Sequence, residues 1–145
     1  MSDEVIYQRI FPVSGGDFDK AGQVSTEIKS ILKAAGIESN VIRRVAIASF
    51  EAEMNVVIHA DEGIVDFILT PDHVLIIVSD CGPGIEDVQL AMQEGYSTAS
   101  DDMREMGFGA GMGLPNIMKS CDDFRIDTEV GVGTTLRMVI VHKKQ

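Results

Sequence analysis

Glu51 and Asn55 stand four residues apart within a stretch, residues 41–60, that holds neither glycine nor proline. At helical spacing this puts a carboxylate and an amide oxygen on one face, a turn apart, where they could ligate a metal ion or orient a water. The pair also reads as two solvated surface side chains. Asp80 follows the apolar run 74–78 and opens the segment Asp80-Cys81-Gly82-Pro83-Gly84-Ile85. A carboxylate at the end of an apolar strand needs partners if it is buried, and the amine of a base-like ligand is one. Gly82 and Gly84 let the backbone turn and approach a flat ligand closely, or simply form an ordinary turn. In Gly109-Ala110-Gly111-Met112-Gly113-Leu114, alternate glycines expose amides just ahead of a helix. That arrangement receives phosphate through N–H groups and the helix dipole, and it also reads as a flexible linker.

Three further residue types have simpler readings. Cys81 reads as a small buried filler rather than a redox sensor, because free cysteines are among the most buried residues and no basic neighbour activates this one. His59, one turn beyond Asn55, reads as a structural or surface histidine. Met103, Met106 and Met112 read as loose packing or as an adaptable partner surface.

These residues must be positioned by the elements around them. Loose alternation over residues 5–11, ending at Pro12 and Gly15-Gly16, predicts a first strand. Apolar recurrence from Phe18 to Ala35 predicts a helix over 18–35, with Asp17 as N-cap and Gly36 past its end. Ser39 is placed to cap a second helix that runs to residue 60. Runs 64–69 and 74–79 predict a hairpin joined by the turn-like spacer 70–73, and a short helix is expected over 86–93. Residues 95–113 hold five glycines and predict a long loop. Helix 114–119 follows, then strands 124–129 and 134–142 joined by the turn 130–133. That order predicts an α+β fold, a two-layer α/β sandwich with a mixed sheet covered by helices on one face, in a single domain over residues 1–145.

Composition sets the class. With 45% hydrophobic and 24% charged residues the chain is that of a folded globular protein. Twelve Lys and Arg against 23 Asp and Glu give a net charge of −11, which opposes phosphate-backbone binding and excludes nucleic acid as a partner. No apolar run reaches the roughly 20 residues a membrane helix needs. The acidic start Met1-Ser2-Asp3-Glu4 does not resemble a secretory signal, so a cytoplasmic location with free thiols is expected. Two cysteines and three histidines match no zinc-ligand spacing. The P-loop and the G-x-G-x-x-G fingerprint are both absent, which removes two common nucleotide folds.

The boxes occur in one order: Glu51-x-x-x-Asn55, Asp80-x-Gly82-x-Gly84-Ile85, Gly109-x-Gly111-Met112-Gly113-Leu114 and Gly133-Thr134-Thr135. That order resembles the ATPase superfamily of gyrase, the heat-shock chaperone, histidine kinases and mismatch-repair proteins, whose ATP site is the Bergerat fold. Within it the chain is similar to the small anti-sigma-factor and switch-protein serine/threonine kinases of bacterial stress and sporulation pathways. The resemblance covers nearly the whole chain.

The resemblance implies ATP and Mg²⁺ as cofactors, with Asn55 holding the metal and Glu51 acting as general base toward the attacking hydroxyl. It implies that Asp80 accepts the adenine amino proton, with Thr134 supporting that contact, and that Gly82, Gly84 and Ile85 let the backbone pass the base. Gly109, Gly111, Met112, Gly113 and Leu114 would wrap the triphosphate as part of a lid over about 95–113, with Arg104 as the added phosphate clamp. The implied partner is an antagonist protein with a phosphorylatable Ser or Thr, or a sigma factor; a homodimer is compatible with it. Acids at 101–106 lengthen the lid relative to the switch-kinase pattern, which keeps a second reading in view, a non-catalytic ATP-gated interaction module.

Overall fold

Alternation of side chains along the strands decides which face of the sheet is buried. The computed structural model describes residues 4–93 and 113–143. Its elements are β1 (Tyr7–Ser14), α1 (Gln23–Ala34), α2 (Ser39–His59), β2 (Glu62–Leu69), β3 (His73–Cys81), α3 (Val88–Ala91), α4 (Gly113–Ser120), β4 (Asp123–Glu129) and β5 (Gly133–Val141). The strands make one sheet in the order β1-β2-β3-β5-β4. Its inward positions, Val65, Phe67, Leu69, Val74, Ile76, Val78, Leu136, Met138 and Ile140, are all buried. Over them lie Val24, Ile28 and Leu32 of α1, Val45, Ala48, Ala52 and Val56 of α2, and Leu114 and Ile117 of α4. The opposite face carries Ile10 and Ile64, each at least half exposed. The expected two-layer sandwich with helices on one face is therefore what forms. None of the described helices is long and apolar enough to cross a membrane.

Several local expectations are corrected. The sheet is not mixed, because every ladder among the described strands is antiparallel. β4 does run in the direction of β3, but β5 lies between them and pairs with both. β1 continues through Pro12 to Ser14, which an edge strand tolerates because one side of it has no ladder to lose. Ser39 is the first helical residue of α2, and Glu38 takes the N-cap position without a side-chain cap bond. The first helix starts at Gln23 with Gly22 as N-cap, not at Phe18 behind Asp17. The reason is tertiary: Glu53 of α2 reaches across and accepts hydrogen bonds from Gly22 N (3.0 Å) and Ser25 N (3.3 Å), and Val24 N–H donates to it as well. Those are amides the first turn of a helix cannot satisfy by itself.

Two polar contacts fix α4 against α2 and the sheet. Arg44 of α2 donates from Nε to Ser120 O (3.1 Å) at the last turn of α4 and from Nη2 to Asp122 Oδ2 (3.1 Å). Asp122 also accepts from Val141 N at 2.7 Å. A guanidinium at a helix C-terminus satisfies its carbonyl and complements its dipole.

Glu53 is 2% exposed, so Glu53→Ala strands three amides in a buried setting. That change should cost about 2–4 kcal/mol in urea unfolding. A loss below about 0.5 kcal/mol would show that the cap contributes nothing to the docking of α1.

Candidate functional site

β3 presents Val74, Ile76 and Val78 to the helices, and the same period carries Asp80 inward as the strand leaves the sheet. Asp80 Oδ1 accepts from Thr134 N at 3.1 Å. Burial raises the Asp80 pKa above its ordinary value, and the Thr134 amide partly opposes the shift. Among the described residues no hydrogen bond engages Asp80 Oδ2, so the carboxylate keeps acceptor capacity for a donor on a ligand.

The loop after Asp80 lies against the β4–β5 hairpin at contact distance. A Cβ on Gly84, whose φ is +75°, would sit 2.5 Å from Glu129 O, and one on Gly133 would sit 2.0 Å from Asp80 O. Glycine is required at both places by close approach of backbone to backbone. Gly131 N donates to Pro83 O at 2.8 Å, and Ile85 N donates to Thr128 Oγ1 at 2.9 Å. Gly82 packs on Ala60, the residue that ends α2.

Glu51 and Asn55 occupy one face of α2 and are both half-buried. They converge on the first residue of α4: a Cβ built on Gly113 would lie 3.3 Å from Glu51 Oε2 and 3.4 Å from Asn55 Oδ1. Two boxes read separately in the sequence thus meet, and the third, the Gly82 loop, lies against Ala60, five residues or about 7.5 Å along the helix axis beyond Asn55. Burial raises the Glu51 pKa, and a hydrogen bond from the Asn116 side chain opposes that rise. Leu114 is buried beneath the site. Thr134 is buried and its hydroxyl meets Thr128 Oγ1 at 2.9 Å.

Arg104, Gly109, Gly111 and Met112, with the rest of the expected lid up to residue 112, lie outside the described residues. His59, read as a structural or surface histidine, ends α2 as an exposed residue whose pKa burial of the ring lowers. Cys81 is exposed, not the buried filler expected. With Asp80 turned inward, alternation puts Cys81 outward, where its register partner is Glu62 of β2. Asn116 and Thr128 were missed. Asn116 had a signal, since it follows Gly113 by three residues and shares its helix face. Thr128 had none, because only the register Thr128↔Thr134 brings it to the loop.

No group of three or more His, Cys, Asp or Glu among the described residues could cage a metal. The donors at Gly113 are one amide oxygen and one carboxylate. Such a sparse, hard-oxygen set fits Mg²⁺, which is held by one or two protein oxygens together with substrate phosphates.

The family model described as a histidine kinase-like ATPase domain matches residues 17–140. The serine/threonine-protein kinase RsbT of Bacillus subtilis (strain 168) is 27% identical over 115 residues, covering 77% of this chain and 80% of RsbT. The anti-sigma F factor of Caldanaerobacter subterraneus subsp. tengcongensis is 34% identical over 93 residues, and that of Thermoanaerobacter sp. (strain X514) 32% over 93. In both cases the match covers 61% of this chain and 62% of the relative, so it spans about three fifths of those two proteins.

The raised Asp80 pKa has a signed consequence for stability. A carboxyl that holds its proton more tightly when folded loses folded-state stability as pH rises from its ordinary value, near 3.8, through the raised one. Asp80→Asn keeps the shape and the Thr134 contact but does not titrate. Without ligand its melting temperature should therefore gain on the wild type as pH rises across that window, then keep a constant lead to neutrality. Melting curves whose separation does not change between pH 3.5 and 7 would remove burial as the dominant influence on Asp80.

Proposed function

Because the chain belongs to the histidine kinase-like ATPase family, we propose that it is an ATP-binding serine/threonine protein kinase of the anti-sigma or switch type. On this reading residues 1–145 work as one cytoplasmic domain that binds an antagonist protein, or a sigma factor, and phosphorylates a Ser or Thr on the antagonist. The observation that carries it is the convergence of Glu51 and Asn55 on Gly113 at the start of α4, with a fixed Asp80 one loop away beyond the end of α2. The names of RsbT and of the anti-sigma F factors support the substrate class.

Each residue then has a task. Asp80 accepts the hydrogen bond of the adenine amino group, and the loop through Gly82, Gly84 and Ile85 passes the base. Gly113 and Leu114 bring the N-terminus of α4 toward the phosphates, where backbone N–H groups and the helix dipole favour negative charge. Asn55 would hold Mg²⁺, which when bound compensates the charge on the triphosphate. Glu51 takes the proton from the substrate hydroxyl as its oxygen bonds the γ-phosphorus and the bridging oxygen leaves with ADP. Burial suits Glu51 to this role, because a carboxyl with a raised pKa is a stronger base once ionised. The Asn116 hydrogen bond opposes that rise and favours the ionised form. A base held in this way favours phosphoryl transfer over an ATP-gated module that performs no chemistry.

Calorimetry should show one Mg-ATP site per chain, weakened in Asp80→Asn by the loss of a charged acceptor. Glu51→Gln should bind Mg-ATP as the wild type does, yet lose phosphorylation of a partner captured from the native cell by roughly two to four powers of ten. Asn55→Ala should lose both. Undiminished transfer in Glu51→Gln would remove the general base, and a wild-type protein that binds ATP and its partner but never transfers phosphate would establish the gated module instead.

A further inference from the structure

Thr128 lies on β4, outside the boxes that mark the nucleotide site, yet one hydroxyl there joins three parts of it. Thr128 Oγ1 accepts from Ile85 N (2.9 Å), donates to Gly133 O (3.3 Å) and meets Thr134 Oγ1 at 2.9 Å. A hydroxyl has one proton and two acceptor positions, so these partners use all of its capacity. Thr134 in turn donates its backbone N–H to Asp80 Oδ1 at 3.1 Å. The segment from Asp80 to Ile85 is therefore pinned at both ends by one side chain, at Ile85 directly and at Asp80 through Thr134. We propose that Thr128 is a positioning residue for nucleobase selectivity: it holds the Asp80 carboxylate where it accepts from an exocyclic amino group and rejects a carbonyl. This rests on the reading that Asp80 receives adenine.

The selectivity follows from geometry. Guanine presents a carbonyl oxygen where adenine presents an amino group, and a carboxylate fixed opposite that position has an unpaired oxygen facing another oxygen. A fixed site rejects such a mismatch strongly, whereas one that can shift by an ångström relaxes away from it, because hydrogen bonds and their repulsive counterparts weaken steeply with distance and angle. Thr128→Val keeps the volume and branching but leaves the Ile85 amide and the Gly133 carbonyl without this partner. Thr128→Ser keeps the hydroxyl and loses only a methyl group.

The test is titration of the purified 145-residue protein with Mg-ATP and Mg-GTP. In Thr128→Val the Kd for Mg-ATP should rise about tenfold while that for Mg-GTP changes less than about threefold, so the preference for adenine contracts. Thr128→Ser should stay within about twofold of the wild type for both. An unchanged ATP-to-GTP ratio in Thr128→Val, including an equal loss of both nucleotides, would overturn the proposal and leave the adenine reading of Asp80 standing. So would a loss of selectivity in Thr128→Ser as large as in Thr128→Val, since methyl packing and not the hydroxyl would then be responsible. A wild type that binds GTP as well as ATP would overturn the Asp80 reading itself, and this inference with it.

Discussion

Helix α2 cannot turn about its own axis without exposing Val45, Ala48, Ala52 and Val56, and the rest of the structure is attached to it in that one orientation. Burying Val45 and Val56 favours the docked state by about 1.5–3 kcal/mol each and the methyl groups of Ala48 and Ala52 by about 0.8 kcal/mol each, so the stripe as a whole fixes the rotation. The polar residues between them then have no choice of direction. Glu53 is driven against the start of α1, Arg44 meets the end of α4, and Glu51 and Asn55 face the start of α4. The apolar stripe supplies the energy and the polar residues inherit precise directions from it.

The second constraint is the sheet register. β5 pairs with β3 and with β4, so Thr134, Thr128 and Asp80 come together only because β5 lies between those two strands. A one-residue shift of β5 against β3 would turn Thr134 to the outer face and separate it from Asp80, and one of β4 against β5 would turn Thr128 away from Thr134. The slip of β5 is costly, since Leu136, Met138 and Ile140 would leave the core with it. Core packing and site geometry are thus protected by the same residues.

Both ends of the site keep a carboxylate in a partly desolvated setting with few donors to relieve it. Glu51 has Asn116 and Asp80 has Thr134, and in each case burial outweighs the hydrogen bond in setting the direction of the pKa shift. A folded protein would be more comfortable with neutral groups at these positions. Their retention is what a site needs if one carboxylate is to meet a donor on a base and the other is to take a proton.

The sequence alone determined the class of elements, their order and the boxes, because those depend on local period and on glycine. The helical repeat of residues 41–60 placed Glu51 and Asn55 on one face, the apolar run before Asp80 marked a strand, and the glycines at 82 and 84 marked a turn able to approach a ligand closely. What depends on contacts distant in the chain was decided only in the folded state. Asp17 looked like a helix cap, yet the amides of α1 are satisfied by a carboxylate 31 residues beyond Gly22. Cys81 looked buried by composition, but with Asp80 turned inward alternation left it outside. The order of elements suggested a mixed sheet, and only the insertion of β5 between β3 and β4 made every neighbour antiparallel. Thr128 carried no local signal at all, since its role exists through a register that brings residues 85, 128 and 134 to one point, and no period within a single element encodes that meeting.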